Sequence, residues 1–280
     1  MQSQYKVTIC KICSGHTTLI FKTPVLNKHD VGYYKCGACG FIQTEEPYWL
    51  EEAYSSAITS LDIGLAGRNI EFSGIVEDIL KKQFNTSSQF IDYGGGYGLF
   101  VRLMRDKGFD FYRQDFFCEN IFAKHFDISD INGEQKFELL TAFEVFEHLT
   151  DPLSEIKKMF SYSDSILFST ILQPSENISS PDQWWYFIPE TGQHISLYSL
   201  ASLEIVAQKN NCFLYTNKHN LHLLSPKKLD TNPFNIDDRK SLALRVVNKL
   251  SAVLISKKKE KILPGLLDQD FNYIRKKINP

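Results

Sequence analysis

The fold is decided by residues 90–100, which read FIDYGGGYGLF. A short apolar run ends in an acid, Asp92, and four glycines follow within five positions. A helical pattern of apolar side chains then begins at Leu99. The segment therefore predicts a strand, a glycine loop and a helix. This arrangement lets a backbone approach a nucleotide-like ligand at the carboxyl edge of a parallel sheet.

Short apolar runs alternate with helical patterns after the glycine loop. Further candidate strands lie at residues 109–114, 125–128, 137–142, 165–170, 212–216 and 221–225. The alternation is typical of a parallel sheet with crossover helices on both faces, and the last two runs suit an antiparallel pair that closes it. The predicted fold class is therefore α/β, with a Rossmann-like sheet of seven strands.

The other segments suggest further units. We expect a zinc-ribbon module in residues 1–42, a helical cap or linker in 43–89, the sheet in 90–225 and a helical extension in 226–280. That extension carries 13 Lys and Arg against 6 Asp and Glu. Helical spacing of its apolar residues favours a solvated helix face over a surface for nucleic acid or membrane. The same helices could also supply an interface between subunits of an oligomer.

The bulk composition indicates a globular protein. The 280 residues are 43% hydrophobic and 23% charged, with a net charge of -2. No apolar run approaches the roughly 18–20 residues that cross a bilayer, and the N-terminus has no signal-peptide core. The sequence therefore predicts a cytoplasmic protein without a membrane span.

Four cysteines near the N-terminus form two pairs, Cys10-x-x-Cys13 and Cys36-x-x-Cys39, with 22 residues between them. Two such pairs can surround one tetrahedral Zn²⁺. Because four thiolates leave no open coordination position, the predicted role of this zinc is structural. Two disulfides or free thiols are the alternatives, and both are disfavoured in a cytoplasmic chain.

Two ligand classes compete for the glycine loop. A dinucleotide site has G-x-G-x-x-G spacing and holds a pyrophosphate on the helix N-terminus. Here Asp92 stands two residues before Gly94, where an acid repels a pyrophosphate but holds an ammonium. S-adenosylmethionine carries an ammonium, a ribose and an adenine. Asp115 ends the second strand, where a carboxylate accepts ribose hydroxyls, and Asp127 or its neighbour Phe126 is the candidate adenine contact.

Together with FEVFEHLTDP at residues 143–152, these motifs resemble those of the class I S-adenosylmethionine-dependent methyltransferases. The resemblance covers about residues 5–225 and implies S-adenosylmethionine as cofactor, bound at Gly94, Gly96 and Phe143 as well as at the acids. The subgroup that the chain resembles often methylates small molecules and nucleotide-linked sugars, and several sugar methyltransferases in it begin with a four-cysteine zinc module. A sugar of a surface polysaccharide is thus the leading acceptor. The family's usual Gly-Cys-Gly loop is Gly-Gly-Gly here.

Methyl transfer from a sulfonium is an in-line displacement that needs alignment and, for a hydroxyl or carbon acid, a base. In this fold the acceptor lies over the carboxyl ends of the fourth and fifth strands. That placement nominates Phe143, Glu144, Glu147 and His148, and then the aromatic loop at residues 184–194. We predict His194 as the base or acceptor anchor, with His148 and Glu144 in support. For His148, a purely structural hydrogen bond at the sheet edge is the alternative.

Other functions stay open at this level. An RNA- or protein-directed methyltransferase would dock its substrate through the zinc module and the basic tail, but no aromatic–basic interleaving marks a nucleic-acid surface. A non-catalytic binding module would keep the sheet but lose the cofactor acids, whereas Asp92 and Asp115 are both present. The glycine spacing disfavours an NAD-dependent dehydrogenase. The sequence does not distinguish O-, N- and C-methylation.

Overall fold

The computed structural model describes residues 9–55, 62–133 and 136–235, together with Leu266, Gln269 and Tyr273. The strands are β1 (Thr17–Val25), β2 (His29–Cys36), β3 (Ile42–Thr44), β4 (Gln89–Tyr93), β5 (Asp110–Gln114), β6 (Leu139–Ala142), β7 (Ile166–Ser169), β8 (Ser196–Leu197), β9 (Phe213–Thr216) and β10 (Leu221–Ser225). The helices are α1 (Leu50–Ala53), α2 (Leu65–Gln83), α3 (Leu99–Asp106), α4 (Pro152–Tyr162) and α5 (Leu200–Lys209). A basic helical extension was predicted for residues 226–280. From residue 236 onward, this segment lies outside the described residues except at Leu266, Gln269 and Tyr273.

Six strands form the main sheet, in the order β5-β4-β6-β7-β10-β9. Strand β4 pairs in parallel with β5 and β6, and β6 pairs in parallel with β7. Strand β10 runs antiparallel to both β7 and β9. The predicted α/β class, with its mostly parallel sheet and antiparallel closing pair, is confirmed.

The expected count of seven strands needs a correction. Among the described residues, the segment at 125–128 joins the sheet only through one parallel bridge between Arg113 and Asp127. Asp127 caps the short 3₁₀ turn Ile128–Asp130, which takes the chain away from β5. The seventh strand therefore stops at a single residue pair.

Apolar side chains cover both faces of the main sheet. Phe90 packs on one face with the cluster from α2 and α3, and Ile91 packs on the other face with the cluster from α4 and α5. Strands that are buried on both faces have nearly continuous apolar sequences. This is why their positions could be predicted from the sequence.

A second sheet has the order β1-β2-β3-β8. Its first three strands come from the N-terminal segment, but β8 follows the aromatic loop far along the chain and pairs with β3. Trp49 Nε1 donates to the Gly192 carbonyl at 2.8 Å, and Gln193 Nε2 donates to the Ala53 carbonyl at 2.9 Å. The N-terminal segment and the aromatic loop therefore share one sheet and one core.

No helix within the described ranges combines the length and the apolar character that a transmembrane span requires.

Candidate functional site

A cavity of about 920 Å³ opens at the carboxyl ends of β4 and β6. One end is lined by Asp92, the glycine loop and Asp115, and the other by the histidines His148 and His194. The sequence predicted all of these residues, and the structure brings them to one cavity. We call its two parts the glycine-loop end and the histidine end.

The glycine loop needs its glycines for steric reasons. Gly94, Gly96 and Gly98 have φ values of 69°, 52° and 83°, in the left-handed region that side chains avoid. A Cβ on Gly94 would lie 2.6 Å from Val145 Cγ2. The loop therefore packs against the β6 side of the sheet, and any side chain at position 94 would push it away.

The backbone amides of Gly94, Gly95 and Gly96 donate hydrogen bonds within the protein. Those of Gly94 and Gly95 donate to the Gln114 carbonyl at 2.8 and 3.3 Å. The Gly96 amide donates to Asp115 Oδ2 at 2.9 Å. A phosphate cradle needs amides that point at the ligand. This loop instead presents its glycines as a smooth surface beside the carboxylate of Asp92.

Asp92 is buried at the end of β4, and it lines the cavity. Thr141 Oγ1 donates to its Oδ1 at 2.6 Å. Burial raises the pKa of Asp92 to about 7, the Thr141 bond partly offsets that rise, and the negative Asp115 nearby adds to it. A cation bound beside Asp92 would favour the ionised carboxylate. The site is thus suited to a positively charged group.

Asp115 follows β5 and organises the same end of the cavity. Its Oδ1 accepts from the amides of Phe117 and Cys118 at 2.7 and 2.8 Å. With the bond from Gly96, the carboxylate joins two loops while still lining the cavity. Each carboxylate oxygen can accept more than one hydrogen bond, so Asp115 retains capacity for ligand hydroxyls.

Arg113 also belongs to the glycine-loop end, although no sequence motif pointed to it. Its buried guanidinium contacts Asp127 through Nε at 2.6 Å, donates to the Cys118 carbonyl at 2.8 Å and also donates to the Gly96 carbonyl. It therefore pins the glycine loop to the loop after β5. Asp127 is the partner of Arg113 and is not among the residues that line the cavity, so its predicted adenine contact is not supported. The available signal was an arginine near the carboxyl end of a strand, two residues before Asp115.

Phe143 and Glu144 lie between the two ends. The ring of Phe143 packs against Phe72 and Phe100, with centroid distances of 4.8 and 5.0 Å. The Glu144 amide donates to Ser169 Oγ at 2.7 Å, and that hydroxyl donates to Glu144 Oε1 at 2.6 Å. Glu144 adopts a φ of 55°, so this pair of bonds holds it in a left-handed conformation.

Arg68 on α2 supplies the positive charge of the histidine end. Its Nη2 contacts Asp62 Oδ1 at 2.6 Å, and its Nε lies 3.7 Å from Glu144 Oε2. No sequence motif pointed to this residue. Because two carboxylates already flank the guanidinium, it neutralises them more than it offers a site for an anionic ligand.

The two histidines lie against each other, with ring centroids 5.0 Å apart and planes nearly perpendicular. His194 Nδ1 donates to the Tyr186 carbonyl at 2.6 Å, which leaves Nε2 with its lone pair. Burial lowers the pKa of His194 to about 4. Burial and the neighbouring His194 lower the pKa of His148 to about 3, and its Nδ1 lies 3.1 Å from the Tyr54 hydroxyl. Both rings are therefore neutral at neutral pH.

The aromatic loop divides its two tryptophans. Trp184 is buried in the core shared with the N-terminal segment. Trp185 is 68% exposed and lines the cavity, as does Tyr186. On the opposite wall, Phe117 stacks on Tyr54 with a centroid distance of 5.5 Å. The histidine end thus has an aromatic wall on each side.

The four N-terminal cysteines meet away from the cavity. Their sulfurs all lie within 4.8 Å of one another, with 3.6 Å between Cys10 and Cys39 and 3.4 Å between Cys13 and Cys36. A tetrahedron of ~2.3 Å Zn–S bonds has edges of about 3.8 Å, so the donor set fits a zinc ion. The sulfurs are too far apart for disulfides.

Comparison with known proteins adds a family match. A family described as "Methyltransferase domain" matches residues 68–216, more than half of the chain. No curated protein sequence matches it.

Several solved structures are similar to the chain. CalO1, a methyltransferase in calicheamicin biosynthesis with SAH bound, is 14% identical with a TM-score of 0.39, over 64% of this chain and 60% of that one. An O-methyltransferase family 2 protein from Planctomyces limnophilus, in complex with apigenin, is 14% identical with a TM-score of 0.44, over 63% and 66%. The plantazolicin methyltransferase BpumL is 11% identical with a TM-score of 0.42, over 64% and 93%. This chain thus spans less than two thirds of the length of the first two of these proteins.

Proposed function

The chain belongs to the methyltransferase-domain family, and from this membership we propose that it transfers the methyl group of S-adenosylmethionine to a small or carrier-linked metabolite. The observation that carries the proposal is the cavity itself. At one end Asp92 and Asp115 flank a glycine loop whose Gly94, Gly95 and Gly96 amides donate within the protein, and at the other end His194 has Nδ1 bonded to the Tyr186 carbonyl and Nε2 available to a ligand among the described residues.

The glycine-loop end suits the methyl donor better than a dinucleotide. Asp92 would hold the ammonium of the amino-acid moiety, and Asp115 would accept the ribose hydroxyls. Phe116 directly follows Asp115 and lines the cavity, so its ring replaces Asp127 as our candidate for the adenine contact. Phe143 would close the apolar side, from its place against Phe72 and Phe100.

The histidine end would hold the acceptor. When bound, S-adenosylmethionine supplies an electrophilic methyl group on its sulfonium. His194 would orient the acceptor through Nε2 and take its proton, because its Nδ1 is fixed to the Tyr186 carbonyl. His148 and Glu144 would shape the site around it, each held by a hydroxyl, Tyr54 and Ser169 respectively.

We place a sugar among acceptors first, as part of a surface polysaccharide pathway. The histidine end combines the exposed Trp185 with two polar residues of the same loop, Thr191 and Gln193. An aromatic face beside hydrogen-bonding groups is suited to a ligand with an apolar and a hydroxylated side. A nucleotide-linked sugar fits this class.

The four cysteines would hold one structural zinc. The backbone amides of Ile12 and Gly15 each point at a sulfur, Cys10 and Cys13 respectively, at 3.4 Å. Such amides stabilise thiolates, the form that binds zinc.

Calorimetry tests the cofactor directly. We expect S-adenosylhomocysteine to bind the full chain and NAD to bind at least about 100-fold more weakly, because Asp92 repels a pyrophosphate and the amides of Gly94, Gly95 and Gly96 donate within the protein. Tighter binding of NAD would overturn the proposal. A panel of nucleotide-linked sugars, screened for consumption of S-adenosylmethionine, then tests the acceptor class, and consumption only with RNA or protein would contradict it.

A further inference from the structure

Glu147 is a buried carboxylate that the proposed function leaves without a role. It lies in the short 3₁₀ turn Phe146–His148 and has no solvent exposure. Among the described residues, neither of its oxygens has a hydrogen-bond partner. Buried carboxylates are normally paired, because an isolated charge in a protein interior is costly. Glu147 therefore calls for a positive partner.

Two candidates for this partner are the histidines of the cavity. One carboxylate oxygen of Glu147 and one ring nitrogen each of His148 and His194 all lie within 4.8 Å of one another. Two hydroxyls that also lack a partner, those of Thr170 and Tyr186, neighbour the same carboxylate. Glu147 thus lies directly behind the histidine end of the cavity.

Methyl transfer creates the positive charge that this position could balance. The sulfonium loses its charge when its methyl group leaves, and the proton released by the acceptor must be held elsewhere. His194 alone is a poor holder, since a buried imidazolium is disfavoured. A carboxylate beside it offsets that cost, so the two groups can take up a proton together.

We propose that Glu147 is a positioning residue that acts through His194, and that the His194–Glu147 pair takes up the acceptor's proton. This inference rests on the proposed function. The acceptor's bond to hydrogen breaks, and its electron pair forms the new bond to the methyl carbon. The carbon–sulfur bond breaks with its electrons going to sulfur. The proton goes to the pair in molecules in which Glu147 is ionised, and the net charge of the pair then changes from -1 to 0; this fraction grows as pH rises through about 8.

The surroundings of the pair agree with a single shared proton. Burial, and secondarily the charge of Glu144, raise the pKa of Glu147 to about 8, with partial offset from the hydroxyls of Tyr186 and Thr170. The pair should therefore titrate once near pH 8, above the range in which His194 alone would titrate. Other titratable or charged groups face Glu147 from the remaining elements: Tyr54, Arg68, His148 and Tyr198.

The test is a histidine NMR titration of the full chain with S-adenosylhomocysteine bound, so that no acceptor is needed. The His148 and His194 rings are assigned with His148→Gln and His194→Gln. We expect their ring-carbon shifts to show one step near pH 8 in the wild type. Glu147→Gln, which keeps the shape and removes the charge, should abolish that step.

Glu144→Gln is the matched second variant. Because the charge of Glu144 raises the pKa of Glu147, its removal should move the step to lower pH. A wild type without the step, or a Glu147→Gln protein that retains it, overturns the inference. So does an unmoved step in Glu144→Gln, which also decides the matter if Glu147→Gln does not fold. A second tightly bound metal ion that is lost in Glu147→Gln would overturn it as well, because Glu147 would then be a ligand.

The outcome separates the two proposals. If S-adenosylhomocysteine does not bind, the proposed function fails, whatever the titration of the ligand-free chain shows. If it binds and Glu147→Gln leaves the step in place, only the role of Glu147 fails.

Discussion

The two ends of the cavity are built in opposite ways. The glycine-loop end is assembled within residues 92–115, from two neighbouring strands and the loop between β4 and α3. The histidine end gathers Tyr54, Arg68, His148 and His194 from four separate parts of the chain. Local sequence therefore specifies the first end, whereas the second depends on how distant segments pack.

The N-terminal segment shares a core with Ile91 and Tyr93 of β4, but its hydrogen bonds to the later chain are concentrated near the histidine end. It pairs β3 with β8, and the Leu26 amide donates to the Pro189 carbonyl at 3.0 Å. Ser199 Oγ donates to the Cys39 carbonyl at 2.5 Å, directly beside a cysteine of the cluster. These contacts all reach the segment that carries His194. Loss of the cysteine cluster should therefore disturb the histidine end more than the glycine-loop end.

The largest effect is expected from His194→Ala. With the base removed, kcat on an acceptor found in the sugar screen should fall by roughly 10²–10⁴-fold. The affinity for S-adenosylhomocysteine, measured by calorimetry, should change less than about 3-fold, because His194 lies at the other end. The exposed His219 provides the control, and His219→Ala should leave both values unchanged.

Turnover that survives in His194→Ala would show that the base lies elsewhere. An equal loss of cofactor affinity would instead contradict the separation of the two ends.

Asp92→Asn should produce the complementary result at the glycine-loop end. The affinity for S-adenosylhomocysteine should fall roughly 10–100-fold, because a charge-assisted contact to the ammonium is lost. Asn keeps the shape and can still accept from Thr141 Oγ1.

The same variant should be more stable at high pH. The pKa of Asp92 is raised in the folded state to about 7, so stability is lost as pH rises from about 4 through 7 and the carboxylate ionises. At pH 8 Asp92→Asn should therefore unfold with a free energy roughly 1–3 kcal/mol above that of the wild type. Urea unfolding measures this difference, and a less stable variant would contradict the buried, strained charge.

Removal of the zinc predicted at the cysteine cluster should affect the two ends of the cavity differently. Hydrogen exchange should become at least about 10-fold faster in residues 185–197 after chelation, because β3 and β8 lose their support. Residues 92–100 should keep their protection when S-adenosylhomocysteine is bound. Cys212→Ser serves as the control for general loss of a thiol, and it should alter neither segment.

Equal deprotection of both segments would show that the zinc module stabilises the whole chain rather than the histidine end.

The smallest effect is expected from Tyr54→Phe. The ring can still stack on Phe117, and only the hydroxyl that lies 3.1 Å from His148 Nδ1 is lost. One such hydrogen bond corresponds to a roughly 2–10-fold change, so kcat should fall within that range. A loss as large as that of His194→Ala would make His148, not His194, the more important histidine.

The sequence was sufficient for features that depend on neighbouring residues. The glycine loop was recognisable because glycines allow positive φ values and close approach of the backbone, and because an acid precedes them at the strand end. Strands that are buried on both faces had continuous apolar patterns. The cysteine pairs were equally clear, because each pair is local and the metal geometry demands four such ligands.

Features that depend on distant packing could not be predicted. Asp127 looked like a strand-end ligand, but Arg113 engages it, and only the fold shows that a guanidinium reaches it. The pairing of β8 with β3 has no local signal either. Likewise, Glu147 was among the residues nominated from the sequence, but its burial close to His194 depends on where the aromatic loop folds back.

The most direct test of the account is the pH dependence of S-adenosylhomocysteine binding. Because Asp92 must be ionised to hold the ammonium and its pKa is about 7 in the free protein, calorimetry should show wild-type affinity about 10-fold weaker at pH 6 than at pH 8. Asp92→Asn should bind weakly and equally at both values. If the variant bound as tightly as the wild type, or followed the same pH dependence, the glycine-loop end would not be the donor site described above.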